Sequence, residues 1–296
     1  MSPRDLATLL LIGAIWGASY IFIRIIVPEV GPWGMVGARM LISAAAMYAA
    51  LRVAGLPWGD VRLLRHYVIT AFFASFAAQY LIASAALTLN AGTLAILNTT
   101  AAMFSALIML LLYGEPLGIR RAAGLMLGML GVAMVVGFAP LPLTWPVVLA
   151  FAGALGAAAS YAVANVYTSR KLAQRPALEL SFAQSLFAAL MALPFALPAA
   201  WDAAQAGAWT PRVLTALLLL AVVCTAFANG LFYGLVKRTG PTVSLSVTYL
   251  IPAFSLLWGW LFLDETIAWM QLAGFGVIVM ALLLVTGRRR ASSGGA

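Results

Sequence analysis

Apolar residues run along this chain in stretches of about 20, the length an α-helix needs to cross bilayer hydrocarbon, and charges or Gly/Pro turns separate each stretch from the next. The pattern predicts ten such helices, over residues 6–27, 33–54, 66–87, 92–113, 119–138, 145–169, 178–199, 211–236, 241–263 and 268–286. Almost nothing is left over for a soluble domain. Composition strengthens this picture: 64% of the residues are hydrophobic and 8% charged, and the mean hydropathy of +1.03 lies far outside soluble globular values. The expected fold class is an all-α integral membrane protein. The first span opens like a secretory signal, with Arg4 ahead of an apolar run, but no small-residue cleavage site follows a short core, so it reads as a retained helix.

The formal net charge of +9 raises the question of a nucleic-acid partner, and the positions of the cations answer it. Fourteen of the 17 Lys and Arg fall in alternate connections: Arg4; Arg52, Arg62 and Arg65; Arg120 and Arg121; Arg170, Lys171 and Arg175; Lys237 and Arg238; Arg288, Arg289 and Arg290. The opposite connections hold only Arg212, and the remaining two, Arg24 and Arg39, lie inside apolar stretches. This is the positive-inside pattern. The expected partner is a lipid bilayer, at the cell inner (plasma) membrane, and not nucleic acid; both termini are expected in the cytoplasm. The closing RRRASSGGA, residues 288–296, reads as a basic stop with a flexible tail. The lone Cys224 excludes an intramolecular disulfide and the lone His66 a multi-histidine metal site, so no metal and no cofactor is expected.

Sliding the chain by 150 residues aligns "FSALIMLLLYGEPLGIRRAAG" (104–124) with "FSLLWGWLFLDETIAWMQLAG" (254–274) without a gap. Apolar identities are common in membrane helices, but Glu115/Glu265 with Gly124/Gly274 nine residues later is less so. Ser19-Tyr20 and Ser160-Tyr161 form a weaker pair, and Ala157 stands where the first half has Trp16. The duplication divides the chain into a first five-helix repeat (1–139) and a second (140–287). Five is odd, so the second repeat enters the membrane in the opposite sense, and inverted repeats let one chain adopt two oppositely facing arrangements around a site near the midplane. A monomer is therefore sufficient in principle.

The segments "WGASY", "LLYGEPLGIRRAAGLMLGMLGVAMVV" and "FLDETIAWMQLAGFGVIVMALLLV" resemble the EamA family of the drug/metabolite transporter superfamily over essentially the whole chain. Within that family the chain is most similar to the YddG group, whose members export aromatic and other neutral amino acids. The resemblance implies ten helices in two five-helix repeats and a transport function.

Transport needs polar groups at mid-depth, because an uncharged polar side chain in hydrocarbon requires a partner and helices turn it inward. The candidates are Trp16, Tyr20, Gln79, Tyr80, Asn98, Thr100, Tyr161, Asn165, Gln184, Asn229, Tyr233, Tyr249 and Trp258. Aromatic walls with a few amides and hydroxyls suit a neutral zwitterion, whose ammonium is attracted by ring faces. Glu115 and Glu265 sit just before the next helix and read as caps of its first turn. The other carboxylates also fall in loops or at helix ends, and with none at mid-span, facilitated or weakly coupled transport is favoured over proton or sodium coupling. Pro252, Pro194 and Pro198 are the hinge candidates. Gly13/Gly17, Gly153/Gly156 and Gly124/Gly128/Gly131 read as close-packing stripes.

Arg24 lies about one turn before Pro28 and reads as a snorkelling anchor or a partner for Glu29. Arg39 is roughly 9 Å into the second helix by the helical rise, with no acidic residue nearby in sequence. It is expected to face the protein interior near an outer gate, where it receives a substrate carboxylate or bonds free carbonyls. A membrane enzyme would need paired aspartates, a Ser/His set or metal ligands within the bilayer, and the sequence supplies none. Export of another metabolite or a drug-like amphiphile, such as a nucleoside or a cationic drug, with or without proton coupling, stays open at this point.

Overall fold

A computed structural model describes residues 1–89, 91–136, 144–263 and 269–286, and every regular element among them is helical. The first helical run, Pro3–Val53, reverses at Gly31, whose φ of 71° is open to glycine and costly for other residues. It gives α1 (3–30) and α2 (32–53). There follow α3 (Val61–Ala85), α4 (Ala91–Tyr113), α5 (Ile119–Val136), α6 (Trp145–Lys171), α7 (Ala177–Gln205), α8 (Pro211–Thr239), α9 (241–263) and α10 (Trp269–Thr286). Each span expected from the hydrophobic pattern has a helical counterpart. Six helices are long and apolar enough to cross a membrane by length and composition: 3–23, 25–53, and α3, α6, α7 and α8. The tail at 288–296, Glu265 and the side chains of Tyr20 and Arg24 lie outside the described residues.

Local chemistry sets the helix ends. The Ser2 hydroxyl oxygen accepts from the Asp5 amide at 3.1 Å with Pro3 opening the first turn, and Thr210 with Pro211 does the same for α8, accepting from Val213 at 3.3 Å. Gly240, at φ 83°, ends α8, and Pro241 opens α9.

The packing repeats itself across the chain. α2 packs on α7, and α5 on α10. α1 lies against α8 and α9, through the Trp16 indole donating to the Cys224 carbonyl at 3.0 Å and the Trp258 indole donating to the Ala14 carbonyl at 2.9 Å. In the same way α6 lies against α3 and α4. α3 and α8 each contain a run of wide π-turns, Phe72–Ala77 and Leu219–Phe227. Moved by 150 residues, the first falls on the last six positions of the second. Such turns loosen the ordinary backbone ladder and release carbonyls. The Thr225 hydroxyl takes one of them, donating to Leu220 O at 2.7 Å, five residues back.

Two expectations need revision. Pro252 does not break the middle of a helix. The interruption of α9 is a 3-10 turn at Ser246–Tyr249, and Pro252 sits in the first turn of the helix that restarts at Leu250, where a missing N–H costs little. α7 runs as one helix through Pro194 and Pro198. Glu115 is not in the first turn of α5, which begins at Ile119. It forms an ion pair with Arg170 at the end of α6.

The glycines of α5 are there for close approach. A Cβ on Gly131 would stand 2.9 Å from the Ile278 nitrogen and 3.0 Å from the Gly274 oxygen, backbone atoms that cannot rotate away. At Gly276, by contrast, nothing lies within 4 Å. Gly131→Ala is expected to force α5 from α10 at a cost of about 1–3 kcal/mol. Thermal unfolding in detergent should show a lowered midpoint for Gly131→Ala and none of that loss for Gly276→Ala.

Candidate functional site

The looser turns of α3 and α8, together with α1, α2, α4, α6, α7 and α9, surround a cavity with an empty volume of about 790 Å³, counting the space at its mouth. The walls bring together Trp16, Arg39, Gln79, Asn98, Tyr161, Asn165, Gln184, Asn229 and Tyr233, all chosen from sequence. Four further described candidates lie elsewhere. Tyr80 stacks on Trp33 with ring centroids 3.9 Å apart. The Thr100 hydroxyl donates to Leu97 O of its own helix at 2.6 Å. Tyr249 is fully buried between helices, reaching Leu125 O at 3.3 Å, and Trp258 is taken up by α1.

Among the described residues, Arg39 is the one charged residue in the wall. Its side chain is 5% exposed. A buried guanidinium is tolerable only when its donors are met; Nε donates to the Thr225 hydroxyl at 2.6 Å and Nη1 to the Gln79 side-chain oxygen at 2.8 Å. The Thr225 hydroxyl spends its own proton on Leu220 O, so it is oriented to accept. The π-turn in α8 thus presents an acceptor to a cation on α2. Trp16 is fixed in the opposite role, donating to a carbonyl of the same π-turn run and packing on Phe232 at 5.1 Å between centroids.

Asn98 differs from its neighbours. It is 9% exposed, and its side-chain oxygen is buried with no hydrogen-bond partner. Asn165 instead donates to Tyr161 O at 2.8 Å, and the Tyr233 hydroxyl donates to the Gln184 oxygen.

Sequence reasoning passed over Ser19, Ser75, Phe232 and Thr248, which also line the cavity, and Thr225, which positions Arg39. A signal for several of them existed. The offset of 150 that aligned 104–124 with 254–274 also pairs Ser75 with Thr225, Gln79 with Asn229 and Asn98 with Thr248. Short polar side chains in apolar runs carry little weight singly, and it is their recurrence at one register that marks them.

One end of the bundle is sealed by contacts between distant parts of the chain. Tyr67 of α3 donates to the Glu179 carboxylate of α7, and Arg175 holds the same carboxylate at 2.8 and 3.0 Å. That hydrogen bond and the charge behind it raise the Arg175 pKa above its ordinary value. Lys237 donates to Arg175 O at 2.8 Å, Arg238 pairs with Asp5 at 2.6 Å, and the His66 and Tyr167 side chains meet at 2.6 Å. Tyr67, Leu172, Leu180, Ala183 and Tyr233 pack as one buried cluster, in which Tyr67 meets Glu179 and Tyr233 lines the cavity.

Apolar helices around a central cavity with polar side chains in its wall are the arrangement a multi-pass membrane transporter requires. The profile of the EamA-like transporter family matches residues 5–137 and again 148–287, and the chain belongs to that family. It is 26% identical over 291 residues to a "Probable amino-acid metabolite efflux pump" of Salmonella typhimurium, covering 96% of this chain and 95% of that protein. A protein of the same name in Escherichia coli is 26% identical over 294 residues, 97% of this chain and 94% of the relative. The "Uncharacterized transporter YoaV" of Bacillus subtilis is 20% identical over 274 residues, 92% of this chain and 91% of that one. A crystal structure superposes with a TM-score of 0.76 at 15% identity, over 97% of both chains, and shows the same fold.

Magnitudes separate the ion pairs of the sealed end. Arg170–Glu115 and Arg238–Asp5 are partly exposed, and such pairs contribute about 0–1 kcal/mol. Glu179 is wholly buried. Arg175→Ala is expected to cost about 3–5 kcal/mol by leaving that carboxylate without its cation, and adding Glu179→Gln to recover much of the loss. Unfolding midpoints of the single and double variants check both.

Proposed function

We propose that the protein is a ten-span carrier built from two inverted five-helix repeats, 1–139 and 140–287, with both termini and the 288–296 tail in the cytoplasm. It exports small neutral metabolites, above all aromatic and other neutral amino acids, across the cell inner membrane by alternating access. The observation that carries this reading is Arg39, a buried guanidinium that donates to Thr225 and Gln79 in a cavity wall that also holds aromatic rings and side-chain amides. A substrate carboxylate that reaches Arg39 gains a charge-assisted bond, while Trp16, Tyr161 and Phe232 suit an apolar side chain. The names of the efflux-pump relatives support the substrate class and the direction. The cavity wall contains no Asp or Glu among the described residues, which favours facilitated over proton-coupled movement.

The test is counterflow in proteoliposomes, with labelled phenylalanine challenged by neutral amino acids, nucleosides, sugars and cationic drugs. Phenylalanine and its neutral relatives should compete best. Competition by cationic drugs alone would remove the amino-acid reading, and uphill uptake driven by an imposed proton or sodium gradient would remove the facilitated one. Arg39→Gln should lower phenylalanine counterflow about tenfold or more, the scale of one charge-assisted hydrogen bond. Its elution as a monodisperse species would exclude misfolding as the cause.

A further inference from the structure

We infer that Arg65, Lys171 and Tyr167 form a binding site for the phosphate of an anionic phospholipid headgroup, where α3 and α6 meet at the sealed end of the bundle. The inference is independent of which substrate the cavity takes. His66 and Tyr167 join the two helices there, with the imidazole Nδ1 and the phenol oxygen 2.6 Å apart. The other ring nitrogen, Nε2, accepts from Arg65 Nε at 3.3 Å. A guanidinium only donates, so Nε2 carries no proton and the neutral ring holds its one at Nδ1. Nδ1–H therefore donates to the Tyr167 oxygen, and the phenol's own proton is left for a further acceptor.

The cations beside this pair have no anion of their own. Lys171 lies one turn beyond Tyr167 on α6, and its charge acts together with that of Arg65 on the His66 ring. Among the described residues, neither the two terminal nitrogens of Arg65 nor the Lys171 ammonium has a hydrogen bond or an ion pair. The carboxylates of this end are engaged elsewhere: Asp5 with Arg238, Glu115 with Arg170, Glu179 with Arg175 and Tyr67, and Asp60 on the Arg62 backbone amide. Two cations and a hydroxyl proton, all donors, suit a phosphate, which brings negative charge and several acceptor oxygens.

The surroundings select a lipid over a soluble phosphate. Arg65 lies near the start of the apolar span Val61–Ala85 and Lys171 at the end of Trp145–Lys171, the depth at which headgroups stand. Along the face of α3 that bears Arg65, Val68 and Phe72 follow at helical spacings of three and seven, and Phe72 and the neighbouring Leu64 are exposed. Acyl chains that cover this apolar face end in a headgroup beside Arg65. A phosphate held by both helices ties α3, which carries Tyr67 of the seal, to α6.

The experiment follows the unfolding midpoint of the full chain in mild detergent while phosphatidylglycerol, phosphatidylcholine or glycerol 3-phosphate is added. Phosphatidylglycerol should raise the midpoint saturably and the other two should not. Lys171→Gln, which breaks no described contact, should raise the half-saturating phosphatidylglycerol concentration about tenfold, the scale of one charge-assisted bond, and Arg65→Gln with Lys171→Gln should abolish the response. Arg120→Gln with Arg121→Gln removes the same charge from the same end and should stay within about threefold of wild type. Equal weakening in both double variants, or in neither, overturns the site in favour of general surface charge, and no saturable response in wild type overturns it outright. A response to glycerol 3-phosphate equal to that to phosphatidylglycerol overturns a lipid as its occupant.

Discussion

A guanidinium buried in an apolar bundle has to be given acceptors by the protein, because lipid has none to offer, and much of the cavity's construction follows from Arg39. Its two mapped bonds come from α3 and α8, the helices that carry the π-turns. In a regular α-helix the Thr225 hydroxyl would find its carbonyl partner four residues back; here the wide turn offers Leu220 O five residues back. The irregularity that weakens the α8 ladder is thus also what aims an acceptor at α2. The same π-turn run leaves Cys224 O for the Trp16 indole, so one disturbed stretch fixes both the charge and an aromatic wall.

Close packing elsewhere makes this arrangement affordable. Helices in lipid gain little from excluding water and depend on dispersion contacts at short range. The α5/α10 pair achieves that with glycines whose hypothetical Cβ atoms would meet neighbours at about 3 Å, and Gly128 does the same against the ring of Tyr249. That contact explains why Tyr249, a polar aromatic at mid-depth, is a structural residue: its ring fills the glycine's space, and its hydroxyl finds a helix carbonyl. Helices held this tightly leave the volume of the bundle to collect around α3 and α8.

Helix positions were legible because bilayer thickness sets a length and the Gly/Pro turns punctuate it. Gly31 and Gly240, both at positive φ, stand where the pattern breaks. Most of the polar wall was legible for a related reason: the amides of Gln79, Asn165, Gln184 and Asn229 each carry more donors and acceptors than an apolar helix satisfies by itself. Tyr80 and Thr100 were misjudged because a ring can stack and a hydroxyl can bond its own helix, so neither needs a cavity. Glu115 was misjudged because a cap and a long-range ion pair look alike in one dimension. Ser75 and Thr225 stayed hidden since π-turns have no residue signature of their own. Glu179 was visible as a helix-end carboxylate, but its complete burial follows from Tyr67, 112 residues away in the chain.

The scaffold and the cavity obey different symmetries. Helix pairs, π-turns and the register of Ser75/Thr225 and Gln79/Asn229 repeat between the halves, as two interchangeable arrangements of the bundle would require in the proposed cycle. The bonds made by the polar groups do not repeat. Arg39, Gln79 and Asn98 come from the first half, while Gln184 and Tyr233 of the second are spent on each other, and Thr248 on its own helix. The sealed end is unequal as well, closed by a buried carboxylate with a cation and a phenol, whereas the aromatic stack of Trp33, Tyr80 and Phe195 involves no charge at all. Separating stacked rings breaks no ion pair, and uncovering Glu179 does. The repeated helix packing is thereby given two chemically different ends and an unequal cavity wall, both by side chains that the repeat does not share.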